Sequence, residues 1–178
     1  VINLYYTKKT DLSYKVNYLE KDTNKVLKAQ KVAREVAFDT EVTIAKEKLE
    51  IDGYIFDSAT PESFNVGTNI EANVMNIYYR KRSDLSYTVN YLETETNTVL
   101  QPAKVTDGKK LEDVVNAEEE IIDIDGYNFD SFSNATIVIG TGENVINIYY
   151  TKRNDLTYTI NYLEKDTNEV LHEPTVVR

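Results

Sequence analysis

The chain of 178 residues has no cysteine and no tryptophan, one methionine and one histidine. Without cysteine there are no disulfides, zinc–thiolate sites or thiol nucleophiles. Six glycines and three prolines exclude a flexible linker or a collagen-like repeat. No apolar run approaches the ~20 residues of a membrane-spanning helix, so no membrane insertion is expected. Basic residues are in deficit, 20 against 30 acidic, and the net charge of -10 argues against nucleic acid as a partner. Despite a mean hydropathy of -0.47, 41% of the residues are hydrophobic, enough for a folded core. Tyrosine is the outlier in the other direction, with 14 copies.

What the chain does have is internal repetition. DLSYKVNYLE at 11–20 returns as DLSYTVNYLE at 84–93 and DLTYTINYLE at 155–164. Asp11 to Asp84 is 73 positions, and Asp84 to Asp155 is 71. IDGYIFDS at 51–58 returns as IDGYNFDS at 124–131, and INLYY at 2–6 returns as MNIYY at 75–79 and INIYY at 146–150. The missing pair falls where VGTNIEANV in the first copy is matched by IGTGENV in the second, as a surface turn tolerates. This periodicity divides the chain into a closing strand of a preceding repeat at 1–9, repeat one at 10–82, repeat two at 83–153, and the opening hairpin of a further repeat at 154–178. The chain is expected to be a slice of a longer array.

Within each opening block, Leu12, Tyr14, Val16 and Tyr18 alternate with polar residues, the pattern of a half-buried strand. The turns KDTNK, TETNT and KDTNE follow, each leading to a second short strand. Pro102 and Pro174 place that second strand at a sheet edge. Phe38, Val42, Ala45 and Leu49 fall at helical spacing, yet EVTI at 41–44 is β-branched. The segment therefore reads as a short strand running into one or two helical turns. Asp-Gly-Tyr opens a third strand, and 64–79 reads as a closing hairpin, matched by 136–150. Adjacent tyrosines in a strand point to opposite faces, so one of each Tyr-Tyr pair should pack inward. The fold expected is mainly β, or α+β at most, as tandem small units of about 71–73 residues in an elongated string. Each unit is marginally stable alone.

These residues resemble the mucin-binding protein (MucBP) repeats of Gram-positive cell-surface adhesins. Such repeats open on a Tyr-x-Val-x-Tyr strand with an acidic turn, pass a Leu-x-Pro step and a Gly-Tyr segment, and close on an apolar strand ending in tyrosine. The corresponding residues are Tyr87-Thr88-Val89-Asn90-Tyr91, the turn at 93–98, Leu100-Gln101-Pro102, Gly126-Tyr127 and the strand at 145–150. The first copy matches at 14–18, at Gly53-Tyr54 and at 74–79. Asn24, Asn97 and Asn168 stand where the family usually has glycine in the turn. The resemblance implies a β-grasp (ubiquitin-like) unit, displayed extracellularly and attached to the cell wall through regions outside this sequence. It also implies mucin or another host glycoprotein as partner, beside neighbouring repeats of the same chain. The alternative is a structural stalk, self-associating or not, that presents a distal binding domain.

No catalytic constellation is expected, and so no enzyme. His172 is unrepeated, and a base needs an orienting partner. Glu20, Asp22 and Asn24 alternate as calcium loops begin, but no glycine at the sixth position or downstream Glu completes the pattern, and an Asx turn accounts for them. Asp52 with Asp57, and Asp123 and Asp125 with Asp130, are a weaker acidic grouping. Gly140-Thr141-Gly142 lacks the lysine and helix of a phosphate loop. Asn3, Asn76 and Asn147 recur without a matching strand lysine, Lys15 being replaced by Thr88 and Thr159, so an internal Lys–Asn isopeptide bond is not expected in each copy. No metal or cofactor site is expected. The candidates for ligand contact are the repeated strand tyrosines, Tyr5, Tyr6, Tyr78, Tyr79, Tyr149 and Tyr150, whose rings offer stacking faces for sugars.

Overall fold

A computed structural model describes residues 1–178. By its contacts the chain forms two compact units. The first comprises Val1–Ser86 with Asp107–Asp113 and Val138–Glu143; the second comprises Tyr87–Thr106, Val114–Ile137 and Asn144–Arg178. Two loops of the second sequence repeat therefore belong to the first compact unit.

In repeat one, β1 (Leu12–Glu20) and β2 (Val26–Val36) form the hairpin expected from the alternating pattern. Its turn works because Asn24 takes φ 55, the left-handed conformation that asparagine tolerates better than most residues. The short β3 (Glu41–Thr43) runs into one helical turn, α1 (Ile44–Glu47). Then come β4 (Tyr54–Thr60), β5 (Ser63–Asn65) and β6 (Val74–Lys81). The main sheet has the order β2-β1-β6-β4. β6 lies parallel to β1 and antiparallel to β4. This is a β-grasp strand order in which the crossing helix has shrunk to one turn.

Repeat two rebuilds the sheet as β10-β12-β7-β8 from β7 (Leu85–Glu93), β8 (Val99–Lys109), β10 (Tyr127–Phe132) and β12 (Val145–Lys152). The short β9 (Val114–Asn116) pairs with β11 (Thr136–Val138). A 3-10 turn at Ala117–Glu120 takes the place of α1. β13 (Tyr158–Leu163) and β14 (Val170–Val177) form a separate two-stranded hairpin. The structure is thus mostly β and made of tandem small repeats. Pro102 lies in β8, at the sheet edge where a missing N–H is tolerated.

One sequence expectation changes. Residues 64–79 do not form a closing hairpin: β5 pairs with β3, register Val42↔Phe64. Both edges of β6 are already occupied, by β1 and β4. The short strand running into one or two helical turns expected around 38–49 is found, as β3 and α1. Phe38 and Leu49 are each 42% exposed, and the β-branched Val42 and Thr43 stay in a strand. The indel lies as expected in a surface connection, between β5 and β6 and between β11 and β12. Residues 1–11 form no strand. Their equivalents β6 and β12 each pair with a strand about 60 residues earlier.

The core sits on one face of each sheet. In repeat one Val16, Met75 and Ile77 are fully buried beside Tyr18, Val42, Val66 and Tyr79. Each such side chain contributes about 1.5–3 kcal/mol of burial.

Because Asn97 (φ 55) opens the matching turn of repeat two, Asn97→Ala should cost about 1 kcal/mol and Asn97→Gly close to nothing. Urea unfolding of the two variants measures the difference; equal costs would remove the backbone explanation of this turn.

Candidate functional site

The six tyrosine candidates separate by strand parity. Tyr79 and Tyr150 are 1% exposed and belong to the core. The Tyr79 hydroxyl donates to the Leu49 carbonyl (2.9 Å) and accepts from the Leu49 amide (3.0 Å). Tyr150 does the same with Ile122, at 2.9 and 3.2 Å. Burial raises both phenol pKa values. No ligand reaches these rings, so both leave the candidate set. Tyr78 and Tyr149 point to the opposite face and are half-buried. Tyr5 and Tyr6 are exposed on a segment without a strand.

Beside Tyr78 and Tyr149 lies a repeated amide pair. Asn17 of β1 donates to Asn76 of β6 at 2.7 Å, and Asn90 of β7 donates to Asn147 of β12 at 2.8 Å. The parallel register puts them directly opposite, Asn17↔Asn76 and Asn147↔Asn90. In repeat one Gln30 of β2 extends the ladder, donating to Asn17 at 2.7 Å. Lys21 lies 5.1 Å from the centre of the Tyr78 ring. The outer face of each central strand pair therefore carries side-chain amides next to a tyrosine face. Both groups meet neutral hydroxylated ligands, the amide by hydrogen bonds and the ring by its apolar face.

A second repeated constellation lies on the inner face. Glu47, in α1, is 4% exposed on its side chain and accepts from Tyr14 at 2.8 Å and from Lys31 at 2.7 and 3.0 Å. Glu120 repeats it with Tyr87 and Lys104, both at 2.6 Å. The bond to Glu47 raises the Lys31 pKa; burial first, then that bond, raises that of Tyr14. The sequence reading found no recurring acid–base set, and this one was missed. Its signal was the common offset of 73 between Tyr14, Lys31 and Glu47 and their counterparts. A buried carboxylate saturated by a phenol and an ammonium is a structural clamp.

The acidic turn residues act locally. Glu20 accepts from the Thr23 hydroxyl, Glu93 from Thr96 and Glu164 from Thr167, as turn caps. Lys152 lies 2.7 Å from Glu93 and, with Thr96, lowers that carboxyl's pKa. Among the described residues no cluster of three or more His, Cys, Asp or Glu is placed to hold a metal ion. His172 packs edge-on against Tyr162 on the exposed terminal hairpin.

No protein-family model and no curated protein matches the chain. Among solved structures, Mub-RV is 14% identical, with a TM-score of 0.31 over 80% of this chain and 99% of that one. A type 2 repeat of the mucus binding protein MUB from Lactobacillus reuteri is 15% identical, with a TM-score of 0.30 over 80% and 100%. Streptococcal High Identity Repeats in Tandem (SHIRT) domains 3-4 of a cell surface protein are 9% identical, with a TM-score of 0.30 over 79% and 98%. The chain is similar to Mub and SHIRT repeats. Likeness of that size carries no ligand across, and the repeat character of this chain rests on its own periodicity and its two sheets of equal order.

Two outcomes test the polar contacts. Glu120→Ala should lower the unfolding free energy by about 1–2 kcal/mol, because it removes the buried carboxylate that the Tyr87 hydroxyl and Lys104 share. Glu120→Gln, which keeps an acceptor for the phenol, should lose about half of that. Second, Glu93, Glu112, Asp84 and Asp155 all have lowered pKa values through a neighbouring Lys or Arg. Depressed carboxyls contribute stability above their unfolded values, and the contribution is lost as pH falls through the folded ones. Tm should therefore be flat above about pH 5 and fall below about pH 4, with Glu93→Gln removing part of the fall; a Tm rising on acidification would refute the assignment.

Proposed function

We propose that the chain is an extracellular segment of a Gram-positive cell-wall adhesin, whose repeats bind mucin glycoprotein or its glycans weakly and in number. The observation that carries this reading is the recurrence of one outward constellation: Asn17, Asn76 and Tyr78 in repeat one, Asn90, Asn147 and Tyr149 in repeat two. The MucBP-like motifs support the same direction. A net charge of -10 repels sialic acid and sulfate beyond contact range, with a Debye length of about 8 Å at physiological salt. The faces are therefore assigned to neutral sugars. Repetition supplies avidity that one shallow face does not. The reading includes no catalysis; the repeated buried carboxylates, Glu47 and Glu120, are each held by a tyrosine and a lysine. No helix is long and apolar enough to cross a membrane; attachment to the cell wall through regions outside this sequence is part of the proposal.

A spacer role, presenting a distal binding domain, is the second reading. It is favoured by the Glu47 and Glu120 clamps, which brace each repeat internally without opening a cavity.

Solid-phase binding of the full chain to native and desialylated mucin, with and without calcium, separates the two. The adhesin reading expects saturable binding that survives desialylation, and Tyr78→Ala with Tyr149→Ala should weaken it about tenfold or more. The double variant should keep the parent circular dichroism spectrum. Binding no greater than that of a charge-matched control would leave the repeats as spacers.

A further inference from the structure

The Gly-Tyr corner occurs twice with one backbone geometry. Gly53 and Gly126 take φ of 76 and 78. Each carbonyl accepts from an arginine amide, Arg82 on Gly53 at 2.9 Å and Arg153 on Gly126 at 2.8 Å. Each arginine makes a two-pronged bond to the aspartate two residues on, Arg82 to Asp84 and Arg153 to Asp155. Tyr54 and Tyr127 close the turn by donating to Ile51 and Ile124, both at 3.0 Å.

The surroundings of the two corners differ. Inside the first compact unit, Leu111 and Thr141 lie over Gly53. A Cβ there would stand 2.7 and 2.9 Å from the Leu111 methyls and 3.3 Å from Thr141 Cγ2. The Thr141 hydroxyl also donates to Asp52 at 2.8 Å. At Gly126 nothing lies within 4 Å of the same point. The seat at Gly53 is filled by two loops of a repeat, and the matching seat at Gly126 is open.

We infer that the corner formed by Asp125, Gly126 and Arg153 is a docking seat for the loops of another repeat of this kind. The occupant lays a leucine or phenylalanine over Gly126 and sets a threonine hydroxyl on Asp125. The first repeat carries the same pair of loop residues, Phe38 and Thr68, at the positions of Leu111 and Thr141. Its Phe38 ring is 42% exposed. The loop that bears this apolar residue is held to the preceding linker in both copies. Phe38 donates its amide to the Lys9 carbonyl at 2.7 Å, and Leu111 donates to Arg82 at 2.9 Å. Lys8 pairs with Asp39 at 3.6 Å as Lys81 pairs with Glu112 at 2.5 Å. Each linker thus fixes the loop that follows it, and the fixed loop presents the apolar residue. The β13–β14 hairpin copies β1–β2 after Arg153, as β7–β8 does after Arg82, so the proposed occupant is a repeat built on a hairpin of that kind. Glycine is required twice over: the left-handed φ disfavours a side chain, and the seated residue occupies the space a Cβ would take. The inference stands whether or not the sheet faces bind glycan.

Two measurements decide it. In the chain as it stands, Gly53→Ala and Gly126→Ala both incur the backbone strain, but only the first meets a neighbour. Gly53→Ala should lower Tm by several degrees more than Gly126→Ala; equal losses would show that the occupied seat contributes nothing and overturn the inference. The second uses the full chain extended after Arg178 by a further copy of the sequence 108–153. With glycine labelled, the cross-peak between Gly53 Hα and the Leu111 methyls is the internal standard. A matching cross-peak should appear between Gly126 Hα and the methyls of the appended leucine, and the Tm loss of Gly126→Ala should grow to that of Gly53→Ala. A standard cross-peak without its counterpart at Gly126, in a chain whose added residues show folded amide dispersion, would overturn the assignment.

Discussion

The parallel pairing of each repeat's opening strand with its last strand is the constraint on which the rest depends. β1 with β6, and β7 with β12, run side by side in the same direction. Parallel neighbours cannot be joined by a tight turn, so all the intervening chain becomes a crossover. β2, the short β3–β5 pair, the single helical turn and β4 are the contents of that crossover. The register also decides which side chains meet. Val16↔Met75 and Tyr18↔Ile77 bring core residues together, while Asn17↔Asn76 places the amide pair on the other face.

A core built on tyrosine brings hydroxyls inside, and each hydroxyl needs an acceptor. The acceptors come from one short stretch. Tyr14 donates to the Glu47 carboxylate, Tyr18 to the Glu47 carbonyl and Tyr79 to the Leu49 carbonyl. The one fully buried residue of the helical turn is Glu47, while Ile44 packs half-buried against the core. The turn and the residues after it form an acceptor platform above the sheet, and Lys31 reaches in from β2 to balance the charge. No buried side-chain nitrogen or oxygen is left without a partner.

Much of this was legible in the sequence because it is local. Alternation along 12–20 gave β1, the asparagine turns took the left-handed conformation, and Pro102 marked an edge strand. The hairpin expected over 64–79 failed because partner choice in a sheet is a long-range property. Nothing within those residues records that β1 and β4 claim both edges of β6. Parity showed that one tyrosine of each pair must face inward, but selecting Tyr79 over Tyr78 required the register against β1. Glu47 was overlooked for a related reason. An acid within a polar run such as Ala45-Lys46-Glu47-Lys48 reads as solvated until its partners, 16 and 33 residues away, are known. Only the shared repeat offset tied the three together.

The two faces of the sheet also vary differently between copies, which bears on what the outer face does. On the inner side the tyrosines, the glutamate and its lysine are kept, as the core requires. On the outer side Lys15 becomes Thr88, Lys21 becomes Thr94 and Gln30 becomes Ala103, yet the asparagine pair and the outward tyrosine stay. The kept asparagines bond to each other across β1–β6 and across β7–β12, and the kept tyrosine lies on the same face. In repeat one Lys15 and Lys21 are already engaged by Glu71 and Asp57, each at 3.2 Å. The amides bond to one another across the strands, and in repeat one Lys21 also lies over the Tyr78 ring. Such groups suit an uncharged, hydroxyl-rich ligand, and a shallow face of this kind gains retention from the number of its copies rather than from the strength of any one.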